Sequence, residues 1–333
     1  MTSSVRSANA FPPNAAFAQE EMDRRKKRLM AILSQGLPTL PNYVLDLNAL
    51  LSSQSVDLKK VGVVIRTDPS LSAQVLRLCN SALFGLRRRV ISIEQAAVLL
   101  GTERLRTLVL TCSLMQFAGK RLSNEQLASF WQHSFLSALL SERIARQVDY
   151  FEKEQAYLGG LLHDIGQLPL WILVLEEEAK HHTPPPPGWL DDVSIERDYF
   201  GMDHCKVGRW MAVAWNFMPS FVDVFECHHS PERAQHDPYL VGIVAAADQF
   251  LHTQEATITI APEGTQLEAP ATGTAAEAEG PSFLQECLPL ISETQRHAVM
   301  ESLQTEYIHL LPLVQIGLAS ATAAMKDESK PAR

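Results

Sequence analysis

Apolar residues recur three or four positions apart along much of the chain, and between Leu37 and Leu114 no stretch alternates as a half-buried strand would. Leu40, Val44, Leu47 and Leu51 share one helical face, and Asp57 can cap the helix that follows. Asp68-Pro69 marks a stronger start, with a side-chain acceptor at the cap and proline at the first helical position. Leu71, Val75, Leu78 and Ala82 then form a stripe that Gly85 is expected to stop. Ser92 with Gln95 and Ser123 with Gln126 read as capping boxes. Gly101 separates two apolar helical runs, the second over Thr102–Leu114, and the helix opened by Ser123 is expected to reach about Val148. One helix is expected through LGGLLHDIGQLPLWILVL, a loop at PPPPG (184–188), and further helices near Ile195, over Asp203–Ala214, Pro219–Cys227 and Pro238–Leu251.

The fold class this predicts is all-α. Residues 1–25 are small, polar and proline-containing, and read as a disordered tail, with structure starting near Asp23–Leu33. Residues 30–122 form a first helical bundle and 123–252 a second helical body. Residues 253–282, rich in Ala, Gly, Pro, Thr and Glu, read as a linker or disordered insertion, and 283–325 as C-terminal helices.

Composition narrows the function. The chain has 333 residues, 46% hydrophobic, enough for one large core or two joined ones. A formal net charge of -9 argues against broad nucleic-acid binding, which needs concentrated Lys and Arg. Five cysteines without a CxxC pair suit a reducing compartment better than a disulfide framework. With no secretory apolar segment and no run of about 18 apolar residues, a cytoplasmic location without a membrane span is expected.

The informative residues are polar groups set in apolar helices: His133 in FWQHSFLSALL, His163 and Asp164 in GGLLHDIG, His204 in MDHCKVG, His228 and His229 in FECHHSPE, and Asp248 in IVAAADQF. Imidazole and carboxylate are natural ligands of Fe, Mn or Zn. An Asp beside a His can bridge two ions, and a dinuclear centre can generate hydroxide for displacement at phosphorus. Each residue alone has a plainer reading. His133 fits a hydrogen-bonded core histidine, Asp248 a buried cap, and His228-His229 a helix end. His163-Asp164 resists one, because a carboxylate in that apolar context is costly unless paired or coordinated. His181 and His182 read as exposed, and His236, His252, His297 and His309 have no supporting context.

Taken in order, these seven residues resemble the ligand series of the HD superfamily of metal-dependent phosphohydrolases. LPTLPNYVLDLNALL, VIRTDPSLSAQVLRLCNSALFG and ISIEQAAVLLGTERLRTLVL look like the helical segment that precedes the HD core in HDOD proteins. The resemblance spans about residues 35–252 and implies a helical bundle joined to an HD-type core. It further implies one divalent metal (Fe, Mn or Zn) on His133, His163 and Asp248, a second on His204, His228 and His229, and Asp164 as the bridge. Two features depart from the related HD-GYP phosphodiesterases. Gln167 stands where they usually carry Lys, and SPERAQHDPYL replaces their GYP stretch. The expectation is therefore a bacterial signal-transduction protein acting through protein partners, with no assigned catalytic residues and one or two metal ions retained. The alternative is a phosphohydrolase acting on a nucleotide or cyclic dinucleotide, or a nucleotide-binding sensor using the same cleft.

Overall fold

The computed structural model describes residues 15–35, 61, 65, 68–81, 84–86, 88–119, 121–182, 184–189, 192–260 and 282–328. Among them every regular element is helical and none is a strand. The face expected over Leu40–Leu51 and the cap at Asp57 lie outside the described residues.

Helix α1 (Ala15–Gln35) begins ahead of the tail boundary expected near residue 25. Local pattern could not show what holds it. Helix α1 carries buried Leu29, Ile32 and Leu33 and packs on α7 (Gln167–His181) and α8 (Val193–Phe200) of the second body. Arg24 reaches the buried Glu177 of α7 with both terminal nitrogens, at 3.0 and 2.5 Å, and Arg28 holds Glu176 at 2.6 and 2.8 Å. Tertiary contact, rather than propensity, stabilises this segment.

In the first bundle, α2 (Pro69–Cys79), α3 (Ile93–Leu100) and α4 (Thr102–Gly119) pack on one another. Asp68 accepts from the Leu71 N–H at 3.0 Å, as Asp-Pro predicts. Helix α2 stops at Asn80 rather than Gly85. The Asn80 amide donates to the carbonyls of Leu76 and Val90, at 2.7 and 2.8 Å, and its oxygen accepts from the Val90 N–H. A long-range pairing ends the helix before the glycine is reached. Gly101 takes φ +84° between α3 and α4.

The long α5 (Asn124–Gln147) is the hub. Its capping box is complete: Ser123 Oγ accepts from the Gln126 N–H, and the Gln126 side chain accepts from the Ser123 N–H at 3.1 Å. It packs on α4, on α6 (Lys153–Leu162), on α11 (Pro238–Ile260) and on α13 (Glu293–Glu328). Between α8 and α11 lie α9 (His204–Ala214) and α10 (Pro219–Cys227), while α12 (Ser282–Cys287) rests on α11. The two bodies share one apolar core, from Leu71 and Leu105 through Trp131 and Phe135 to Phe225 and Phe250.

Two expectations need correction. The helix through LGGLLHDIGQLPLWILVL is two helices, α6 and α7, divided by a turn at 163–166. The combined segment Lys153–His181 is long and apolar enough to pass for a membrane span by composition, yet most of it is buried inside the fold, which marks it as core. Helix α11 runs on to Ile260 through the first residues of the expected linker, and 261–281 lie outside the described residues.

Two glycines fix how closely these helices meet. A Cβ on Gly160 of α6 would lie 2.6 Å from the Ser137 carbonyl oxygen of α5. On Gly166 it would lie 2.0 Å from the His204 carbonyl oxygen and 2.7 Å from the Gly208 nitrogen, both backbone atoms of α9. Backbone cannot yield as a side-chain tip can, so Gly166→Ala should destabilise the fold by about 3 kcal/mol or more. Gly119→Ala, whose Cβ would meet only Leu127 at 3.8 Å, should stay within about 1 kcal/mol of wild type. Denaturant unfolding of the two variants measures the difference.

Candidate metal centre

Five separate segments deliver the polar groups to one place. His133 comes from the middle of α5, His163 caps the C-terminus of α6, and Asp164 sits in the turn that follows. His204 is the first residue of α9, where the Asp203 carboxylate accepts from the Lys206 N–H at 2.8 Å and so defines the helix start. His228 and His229 end α10, and Asp248 lies in α11. All seven residues singled out by sequence are brought together.

Asp164 stands at the middle. Its Oδ2 faces His163 Nε2 at 3.4 Å and His133 Nε2 at 3.7 Å, and its Oδ1 faces His204 Nε2 and His228 Nε2, each at 3.3 Å. Asp248 Oδ1 closes the first side, 3.1 Å from His133 Nε2 and 3.3 Å from His163 Nε2. On the second side His204 Nε2 lies 3.2 Å from His228 Nε2 and 3.1 Å from His229 Nε2. His133, His163, Asp164 and Asp248 thus make one cluster of ligand atoms, and His204, Cys205, His228 and His229 another, each spanning no more than 4.8 Å.

The outer ring nitrogens are already committed. His163 Nδ1 meets the Gly160 carbonyl at 2.8 Å, and His228 Nδ1 meets the Val224 carbonyl at 3.0 Å. His204 Nδ1 meets Glu196 Oε2 at 2.8 Å, and the same oxygen accepts from the His204 N–H at 2.7 Å. A carbonyl or carboxylate can only accept, so each Nδ1 carries the proton, and a neutral ring then turns the Nε2 lone pair inward. Such outer bonds are what orient metal-binding imidazoles. Lone pairs of at least three imidazoles and two carboxylates converge within a few ångströms. That concentration of negative potential calls for positive charge between them, as protons or as a cation. The buried Asp164 Oδ1 receives no directed hydrogen bond, and a cation between the rings would satisfy it. The donor set therefore fits a divalent metal pair.

The electrostatics show the same demand for positive charge: burial opposes protonation of His204, yet Cys205, Glu196 and Asp164 hold its ring well above the usual imidazole range. Burial alone would raise the Asp164 carboxyl, but the His163, His228 and His204 rings hold it well below the usual carboxylate range. Burial opposes ionisation of Asp248 as well, and His133, His163 and His252 overcome it. Burial lowers His228, and it pushes His229 down to about 3, so both rings are neutral near pH 7.

Sequence reasoning missed three neighbours. His252 Nε2 lies 3.3 Å from Asp248 Oδ1, one helical turn on, and the i,i+4 spacing was the available signal. Glu196 is fully buried against His204, and no local pattern announces it. Cys205 places its Sγ 3.5 Å from His204 Nε2. His181 is exposed as expected, with Arg24 Nη1 3.4 Å from its ring. Arg209 is taken up by Glu226 at 2.7 Å.

The comparisons with known proteins place this arrangement. The model of the HDOD domain matches residues 37–231, more than half of the chain. An uncharacterized protein of Treponema pallidum (strain Nichols) is 24% identical over 226 residues, 65% of this chain but only 42% of that longer protein. Among solved structures, an HDOD domain protein of unknown function from Geobacter sulfurreducens superimposes with a TM-score of 0.62 at 22% identity, covering 89% of this chain and 98% of its own. A candidate phosphohydrolase from Shewanella amazonensis SB2B gives 0.59 at 24% identity (87% and 96% covered). A candidate signal-transduction protein from Marinobacter aquaeolei VT8 gives 0.64 at 17% identity (95% and 68% covered). The identities are low enough that these structures speak for the fold alone. The family model speaks for membership: the chain belongs to the HDOD domain family.

Proposed function

We propose that this HDOD protein is a signalling module that holds a pair of divalent metal ions and acts by presenting apolar surface to protein partners. The observation that carries this reading is the donor on the bridging carboxylate. Gln167 gives its amide to Asp164 Oδ2 at 3.0 Å, at the position where the resemblance to the cyclic-dinucleotide phosphodiesterases leads one to expect lysine. The bridge is thus steadied by a neutral group, and that position offers no cation to meet a phosphate. Exposed aliphatic residues supply the surface such a module needs: Ile91, Val98 and Leu99 on and before α3, and Ile308, Leu313 and Ile316 on α13. The name of the Marinobacter neighbour points the same way. The five cysteines are all free and buried, which fits a reducing compartment.

Under this reading His133, His163 and Asp248 would hold one ion and His204, His228 and His229 the other, with Asp164 between them. Bound metal would supply Lewis acidity and would tie five segments together, so that metal-binding energy becomes folding energy. The second reading, a metal-dependent phosphohydrolase, is favoured by His229, whose side chain is 30% exposed at the edge of the centre. It would leave a place for water or a phosphoester, and the name of the Shewanella neighbour agrees with it.

Elemental analysis of protein purified without chelators should find one to two equivalents of Fe, Mn or Zn per chain. Asp164→Ala should lose the metal and melt at lower temperature, and the exposed His181→Ala should do neither. Equal metal content in the two variants would sink the proposal. Glu196→Gln, which loosens the partner of His204 Nδ1, should weaken metal affinity about 10- to 100-fold in chelator competition. The metal-loaded protein should leave a panel of nucleotide and cyclic-dinucleotide phosphoesters intact. Turnover that follows metal content and vanishes with Asp164→Ala would establish the second reading instead.

A further inference from the structure

The two ends of the candidate centre differ chemically. The first collects two imidazoles and two carboxylates; the second collects three imidazoles and a thiol. Cys205, the second residue of α9, is buried and its thiol is free. Among the described residues no other cysteine joins either cluster of ligand atoms.

The spacing on this side has a recognisable metric. For a tetrahedral zinc site with Zn–N near ~2.05 Å and Zn–S near ~2.3 Å, neighbouring nitrogens lie about 3.3 Å apart and a sulfur–nitrogen edge measures about 3.5 Å. His204 Nε2 stands 3.2 Å from His228 Nε2, 3.1 Å from His229 Nε2 and 3.5 Å from Cys205 Sγ. Every edge that meets at His204 is close to a tetrahedral edge, and all four donor atoms fall within 4.8 Å of one another. The orphaned Asp164 Oδ1, 3.3 Å from His204 and His228, points into the same space from the first side.

The geometry points to a further donor on the second ion: the Cys205 thiolate joins His204, His228 and His229, with the Asp164 oxygen beside them, in a site of one thiolate and three imidazoles at its core that takes a borderline-soft divalent cation, zinc above all. This rests on the metal reading proposed above and gives one end of that centre its own metal preference. Binding breaks the S–H bond heterolytically; the proton leaves to solvent and the sulfur electron pair goes to the cation, with no change of oxidation state. Nitrogen and oxygen donors at the first end accept manganese or iron, whereas a thiolate at the second favours zinc. The centre is then asymmetric, with a thiolate on one ion alone.

Cobalt(II) reports the sulfur directly. Full-length protein stripped of metal and loaded with cobalt alone should show a thiolate-to-cobalt charge-transfer band in the near ultraviolet. The band should disappear in Cys205→Ser, which should still bind cobalt at the first end, and should persist in Cys227→Ser. Cobalt bound without the band, or a band that survives Cys205→Ser, overturns the inference and leaves the metal reading standing. Failure to bind cobalt at all, measured as cobalt per chain, overturns both. X-ray absorption of the zinc-loaded wild type needs no variant: a sulfur neighbour at about 2.3 Å is expected, and a shell of nitrogen and oxygen alone would refute the thiolate.

Discussion

The arrangement of this molecule depends on one buried carboxylate. Asp164 sits in an apolar turn with each oxygen aimed at a different pair of imidazoles. Ionised and buried, it would be expensive without compensating positive charge. Compensation must come from groups on α5, α6, α9, α10 and α11, so its electrostatics constrain the mutual placement of those helices. The polar centre is in this sense the organising element of the second body, surrounded by the aliphatic and aromatic core rather than added to its surface.

The outer contacts serve the same constraint. Carbonyls of Gly160 and Val224 and the carboxylate of Glu196 set the rings of His163, His228 and His204, and Gly160 and Gly166 let the backbones approach closely enough for those rings to meet. A glycine that looks like a helix interruption in GLLHDIG is there because the carbonyl of His204 occupies the space of its Cβ. Packing and chemistry are one problem at this point: a residue that widened the gap between the turn and α9 would also separate the donors.

Function is read from how that centre is used. A complete donor set is compatible with hydrolysis, yet Gln167 presents a neutral amide to the bridging carboxylate. Helices α3 and α13 carry aliphatic side chains on the outside. Both features support the proposed reading, in which a bound metal pair would serve architecture and signalling. The thiol of Cys205 lies beside the three-imidazole end, outside the ligand series that the resemblance implies, and sets that end further apart from the one that holds Asp248.

The sequence by itself determined the helical class, because three-and-four periodicity leaves no other way to bury the apolar positions, and the caps at Asp68, Ser92 and Ser123 declare themselves in a few neighbouring residues. It also determined the seven polar residues of the centre, since polar groups in apolar helices stand out against their surroundings. Only the tertiary structure decided the rest. Helix α1 is held by Glu176 and Glu177, far away in the chain; the end of α2 is settled by Asn80 reaching Val90; and the break at 163–166 comes from contact with α9. Glu196 and Cys205 joined the centre on the same terms. Their side chains are ordinary in local context, and what gives them a role is distance in space, which periodicity along the chain does not encode.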